Sequence, residues 1–289
     1  MLFLFSFSLI SGYTNTLALQ YININGKLTA ADNNLIPVDN GAFRYGYGLF
    51  ETILVQNGSL QLADLHMERL FSGLQQLLLN TPALLTPARL TEQVLKTVGK
   101  NNLEEACRVR LQFYAGGGGY YGNNVAQTGY IIECFPLTET LTGHNENGLV
   151  LGVATGVKKS VDSLSNLKSC NALIYAMAAR QAKANHWNDA LITNTNDHII
   201  ETTIANVFWV KDGNIFTPPL ADGCIAGIMR RHIMQVLGNV TEQTLTHDIL
   251  DEADEVFTTN AVKRIKWVKR IGNTTYANDT IRNIYNKCF

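Results

Sequence analysis

Tight turns between short apolar runs are the feature that most limits how this chain can fold. Asn57-Gly58 separates Glu51–Gln56 from Ser59–Leu62, Gly26-Lys27-Leu28 follows Tyr21–Asn25, and Asp212-Gly213-Asn214 separates Val207–Val210 from Ile215–Thr217. Asn-Gly and Asp-Gly supply the positive φ that tight hairpins need, so such turns mark antiparallel pairs. Between them lie helical patterns. Asp64 to about Leu79 carries Leu65, Leu70, Leu74, Leu77 and Leu78 at helical spacing, and a second helix is predicted over Pro87–Gly99. Strands Arg108–Tyr114 and Tyr130–Phe135 follow, joined by a glycine-rich turn, and then comes a polar aperiodic stretch from Pro136 to about Asn147.

The second half opens with a strand near Leu149–Thr155 and an amphipathic helix from about Leu167 to Ala184. Short strands are predicted around Ala190–Ile192, His198–Ile200 and Glu255–Asn260, a helix after Gly227, and a final helix over about Asp279–Asn286. The expected organisation is an N-terminal extension (1–19), a small α/β domain (20–136), a linker (137–147) and a larger domain rich in antiparallel strands (148–289).

Composition narrows the function classes. With 289 residues, 46% of them hydrophobic and 16% charged, the chain can build a real core. A net charge of −1 argues against bulk attraction to nucleic acid or an anionic membrane. The basic run Lys263–Arg270 interleaves with Ile265, Trp267, Val268 and reads as a strand with a solvated face. Five scattered cysteines without a CxxC pair indicate neither a zinc site nor a disulfide framework, and fit buried thiols in a reducing cytosol. The apolar run Leu2–Ile10 is too short to span a bilayer, and no basic residue precedes Lys27, so a secretory signal is not expected. There is no HExxH, and the six histidines lack metal-like spacing. The expectations are no metal, no nucleic acid, no membrane, and a cytoplasmic location.

Several segments carry possible chemistry. Gly117–Gly122 satisfies GxGxxG, but it runs on toward another strand, whereas a dinucleotide site needs that loop to open a helix. Lys168, in Ser165–Asn171, falls at the start of the predicted long helix, where the macrodipole and desolvation would both lower its pKa. By itself it is more simply read as an ordinary surface lysine. Glu201 ends a strand before Thr202-Thr203, and Gly223–Arg230 opens a helix through glycine, leaving backbone N–H groups free for a phosphate. A lysine, a carboxylate and a phosphate cradle in that order say more than any one of them.

Taken together, the motifs resemble class IV aminotransferases, the fold-type IV enzymes of pyridoxal 5′-phosphate (PLP). That group includes branched-chain and D-amino-acid transaminases and aminodeoxychorismate lyase. The resemblance spans about Tyr21 to Phe257 and rests on Glu201, Asn206-Val207-Phe208, Ile215-Phe216-Thr217 and Gly227-Ile228-Met229-Arg230. Arg44–Thr52 and His66–Leu70 fit it as well. It implies a two-domain α/β and α+β fold whose larger half is a strand-rich pseudo-barrel. It also implies that Lys168 carries the cofactor as an internal aldimine and shuttles the proton. Glu201 would pair with the pyridine nitrogen. Arg69, the Ile228 and Met229 amides and the Asn260 region would hold the phosphate. Arg110 would meet the substrate carboxylate, and Tyr45 would line the pocket near a homodimer interface. The substrates implied are a branched-chain or D-amino acid and a 2-oxo acid. Three features depart from the transaminase pattern: Tyr47 stands in place of an aspartate, Met229 in place of a threonine, and Thr259-Asn260-Ala261 is more like the lyase. Tyr114-Ala115-Gly116, in turn, lacks the Arg-Gly of the lyases. Transaminase and lyase both stay open.

Overall fold

The computed structural model describes residues 20–32, 36–117, 128–137 and 145–289. The expected N-terminal extension, most of the Gly117–Gly122 loop and residues 138–144 of the expected linker lie outside the described residues.

The first half builds a six-stranded sheet. β1 (Tyr21–Ile24) and β2 (Lys27–Ala30) form the first hairpin, with Asn25 and Gly26 at positive φ. A short helix follows, α1 (Gly41–Tyr45), which the sequence reading does not anticipate. The Asn40 side chain caps it by accepting from the Ala42 and Phe43 amides, and Gly46 ends it in the left-handed region. β3 (Gly48–Gln56) turns at Asn57-Gly58 into β4 (Ser59–Leu60), and then come α2 (Ala63–Gln76) and α3 (Pro87–Lys100). Thr86 caps α3 and a proline occupies its first turn. β5 (Ala106–Tyr114) and β6 (Gly129–Pro136) complete the sheet, in the order β2-β1-β6-β5-β3-β4. One face packs Leu49, Ile53, Val109 and Leu111 against Leu70, Leu74, Leu90 and Val94 of α2 and α3. The opposite face carries Phe50, Arg110, Gln112 and Glu133, cross-strand neighbours on β3, β5 and β6.

The second half closes on itself. It runs through β7 (Leu149–Val153), α4 (Leu173–Ala184), β8 (Asp189–Thr193), β9 (Ile199–Thr202), β10 (Asn206–Lys211) and β11 (Asn214–Thr217). α5 (Ile228–Leu237), β12 (Val240–Glu242), α6 (His247–Glu252), β13 (Glu255–Asn260), β14 (Arg264–Ile271), β15 (Thr274–Thr275) and α7 (Asp279–Cys288) follow. Strands β10-β13-β14-β7-β8-β9 are paired in that order, and β9 pairs back onto β10, which makes a closed ring. Leu151, Leu191, Val207, Trp209, Val256 and Val268 fill its interior. Outside the ring, α5 and α7 cover Phe208, Phe257 and Ile265, while Ala178 and Ala182 of α4 lie on Ala190 and Ile192. This is the strand-rich pseudo-barrel expected of the larger half.

One element differs from its expectation in a way that bears on function. The long helix predicted from about Leu167 begins only at Leu173. Residues 168–170 run instead along the edge of β3. Phe50 N–H donates to the Lys168 carbonyl (3.0 Å), Cys170 N–H donates to the Gly48 carbonyl (2.8 Å), and Leu49 bridges Ser169. The physical reason is the free edge of β3. β4 pairs only with Val55 and Gln56, which leaves the first residues of β3 with backbone groups to satisfy.

Candidate active site

Lys168 lies on that seam, five residues before α4 rather than on its first turn. Its ammonium sits 4.5 Å from the centroid of the Phe50 ring, and the Arg110 guanidinium stacks on the same ring at 4.0 Å. Phe50, Glu51, Arg69, Gly73, Leu167 and Lys168 line a small cavity between β3, α2 and residues 167–168. Burial pushes the Lys168 pKa down to about 8, with Arg69 adding to the effect and Glu51 and Glu201 partly opposing it. Desolvation, one of the two causes expected from sequence, acts here, and a neighbouring cation rather than the helix dipole adds to it. The outcome, an amine with an accessible neutral form, is the one a nucleophile needs.

Arg69, on α2, is held by a carboxylate from β3. Its Nε and one terminal nitrogen donate to the two oxygens of Glu51 (2.8 and 2.5 Å), and the other terminal nitrogen donates to the Ala226 carbonyl (2.9 Å). His66 Nδ1 lies 2.6 Å from the same carboxylate. Burial alone would raise the Glu51 pKa, but the Arg69 charge and the His66 and Arg69 hydrogen bonds hold it at about 2. Three of the five guanidinium N–H groups are thus engaged, and two remain for a ligand.

Glu201, near the end of β9, receives three donors. Lys159 Nζ (2.6 Å) and the Tyr175 hydroxyl (2.8 Å) meet Oε1, and Ile225 N–H (2.9 Å) meets Oε2. Directly across the strand pair, Asn206 donates to the Ile225 carbonyl (2.9 Å). The five-residue spacing between this glutamate and asparagine now has a cause. A hairpin, closed by Thr202 N–H donating to the Ala205 carbonyl (2.8 Å), puts both side chains where they grip one residue, Ile225. Asn166 ties down the same loop through the Leu220 and Cys224 carbonyls.

That loop delivers the start of α5. Gly227 is its N-cap and no side chain caps it, so the first amides, including Ile228 and Met229, have no intrahelical partner. A Cβ on Gly227 would collide with Asn206 Oδ1, which explains the glycine. Thr259, opposite Asn206 in β13, keeps a buried hydroxyl with no hydrogen-bond partner among the described residues. The sequence reading names its neighbour Asn260 instead, whose side-chain oxygen accepts from the Val262 and Lys263 amides (3.1 and 2.7 Å) in the turn before β14. Uncapped helix amides, an orphaned buried hydroxyl, spare guanidinium N–H groups and a buried amine together fit a phosphorylated carbonyl cofactor such as PLP.

Arg110 is half-buried and shares a face of β5 with Arg108, as the spacing predicts. Its Nε and one terminal nitrogen donate to Gln112 Oε1 (3.1 and 2.6 Å), while the exposed Arg108 stacks on Phe135. Burial lowers the Arg110 pKa. Tyr45 ends α1 and is 39% exposed. It does not line the cavity, although an added Cβ on its neighbour Gly46 would approach Asn171 to 3.0 Å. Lys159 and Tyr175 are site neighbours that the sequence reading does not name, and His66 and Thr259 appear there only within motifs, without a role of their own. Among the described residues no helix is long and apolar enough to cross a membrane, and no group of three or more His, Cys, Asp or Glu could hold a metal ion.

Known proteins resemble this chain in sequence and fold. Residues 48–271 match the family described as "Amino-transferase class IV". An aminodeoxychorismate lyase of Vibrio harveyi is 30% identical over 233 residues, covering 78% of this chain and 84% of that protein. The branched-chain aminotransferase of Thermoproteus uzoniensis, solved with norvaline, superposes with a TM-score of 0.82 at 26% identity, over 93% of each chain. A branched-chain aminotransferase of T.th., solved with N-(5′-phosphopyridoxyl)-L-glutamate, has a TM-score of 0.81 at 22% identity over 93% of each chain, a likeness of fold.

Proposed function

This chain belongs to the amino-transferase class IV family of PLP-dependent enzymes, and from that membership we propose that it transfers an amino group between a branched-chain or D-amino acid and a 2-oxo acid. The observation that carries the reading is the shared Phe50 ring, which sets the Lys168 amine and the Arg110 guanidinium within reach of one small molecule. When bound, PLP supplies a carbonyl that takes up amines and a ring that accepts electron density. The chain's own residues do the rest. Lys168 would present its amine to the cofactor and would carry a proton to and from the substrate Cα. Arg69, the Ile228 and Met229 amides and the Thr259 hydroxyl hold the phosphate, and Glu201 holds a proton at the ring nitrogen. Arg110 binds the carboxylate that donor and acceptor have in common, for which its planar fork is suited.

A second reading, release of pyruvate from aminodeoxychorismate, is favoured by the Vibrio harveyi relative and by Met229 and Thr259-Asn260-Ala261. One experiment separates the two. Purified protein is assayed with D- and L-amino acids plus 2-oxoglutarate or pyruvate, and with aminodeoxychorismate alone. Turnover that requires an oxo acid supports the transaminase, and pyruvate from aminodeoxychorismate without any acceptor supports the lyase. Borohydride reduction followed by peptide mass spectrometry is expected to place the cofactor on Lys168. An adduct on another lysine would overturn the assignment. We further read the enzyme as a cytoplasmic homodimer.

A further inference from the structure

Glu201 is almost wholly buried, and its partners are unequal. Tyr175 and the Ile225 amide are neutral donors, and burial and the Glu201 charge together push the Tyr175 pKa up, so its hydroxyl keeps its proton. Lys159 supplies the positive charge in contact with the carboxylate, at 2.6 Å, with only 9% of its side chain exposed. Its backbone is fixed at the end of β8. Lys159 N–H donates to the Thr193 carbonyl and Thr195 N–H donates to the Lys159 carbonyl, both at 3.0 Å. The adjacent Lys158 turns outward to the exposed Asp197. Of two consecutive lysines, one is a surface residue and the other is built into the site.

We propose that Lys159 is a positioning residue that holds Glu201 as a carboxylate, so that the proton shared between Glu201 and the cofactor's ring nitrogen rests on the nitrogen. This rests on the reading of Glu201 as the ring-nitrogen partner. The reason is electrostatic. A shared proton has two places, the carboxyl oxygen or the ring nitrogen, and a buried carboxylate with only neutral donors favours its neutral form. A cation touching the carboxylate is closer to the negative end of the carboxylate–pyridinium pair than to the positive end, so it stabilises the charge-separated arrangement. Lys159 therefore acts through Glu201 and touches neither substrate nor reacting atoms.

The test uses holoenzyme loaded with PLP labelled with 15N at the ring nitrogen, whose chemical shift reports ring protonation independently of turnover. In the parent the resonance is expected at the pyridinium position at neutral pH. Lys159→Gln keeps a donor to Glu201 but removes the charge. It is expected to move the resonance toward unprotonated pyridine with cofactor occupancy retained, and Lys159→Arg is expected to restore it. A Gln variant whose ring stays pyridinium would overturn the proposal. So would a parent whose ring nitrogen is unprotonated, a result that needs no variant to fold. Glu201→Gln separates the two roles. If it leaves the resonance unmoved, the role of Glu201 itself fails. If it moves the resonance while Lys159→Gln does not, only the role of Lys159 fails.

Discussion

Glu51 sits among Leu49, Ile53 and Leu111 on the helix-covered face of the small sheet, where a carboxylate is expensive unless paired. Arg69 and His66 pair it, and its pKa falls from 4.5 to about 2. Because the folded-state value is depressed, this stabilisation is fully present above pH 4.5 and is lost as pH falls toward 2. The linkage is worth on the order of 3 kcal/mol. Glu51→Gln should lower stability by about that amount at pH 7, with the gap to the parent narrowing below pH 4.5 in denaturant titrations. A gap that stays constant with pH would mean that the pairing is not its source. Sequence shows Glu51 and Arg69 as residues of two motifs but not as a pair, because their meeting depends on how α2 lies across β3. Lys159 is still less legible. Nothing in Lys158-Lys159 says which of the two turns inward, since that is decided by the pairing of this segment with the end of β8.

At the level of elements, the hairpins and the ring of strands are readable because turn chemistry and alternation are local signals. The seam is not, because residues 167–172 read as the first turns of the following helix until a distant strand edge recruits their backbone. Gly48 tests the seam. A Cβ there would collide with the Phe113 carbonyl oxygen, a backbone atom that cannot swing away. Gly48→Ala should force β3 from β5 and disturb the hydrogen bond to Cys170, costing roughly 1–3 kcal/mol as an overpacked site. It should also lower the yield of cofactor reduced onto Lys168. Gly58→Ala is the control. It sits in the Asn57-Gly58 turn with nothing within 4 Å of an added Cβ, so it should cost only turn strain and leave cofactor binding intact. Equal cofactor occupancy in both variants would show that the seam does not position the lysine.

Across the whole molecule, Val38 and Phe43 are 77% and 79% exposed, and Leu173 and Met177 of α4 also face solvent. We propose that these apolar side chains lie on the contact surface of the homodimer proposed above. Light scattering should give twice the 32.0 kDa chain mass, and Phe43→Glu with Leu173→Glu should shift it toward one. A monomeric parent at micromolar concentration would remove the dimer from the proposal. The division of labour between the halves has a further consequence, for the order in which the chain becomes chemically dangerous. Lys168 owes its depressed pKa to burial beside β3 and α2 and to a cation from the first half, Arg69. On a ribosome, or in a chain only half folded, it is an ordinary ammonium, slow to react with the stray aldehydes of a cell. Its faster reaction with carbonyls is expected once β3 docks onto residues 168–170, the same contact that closes the cavity around it.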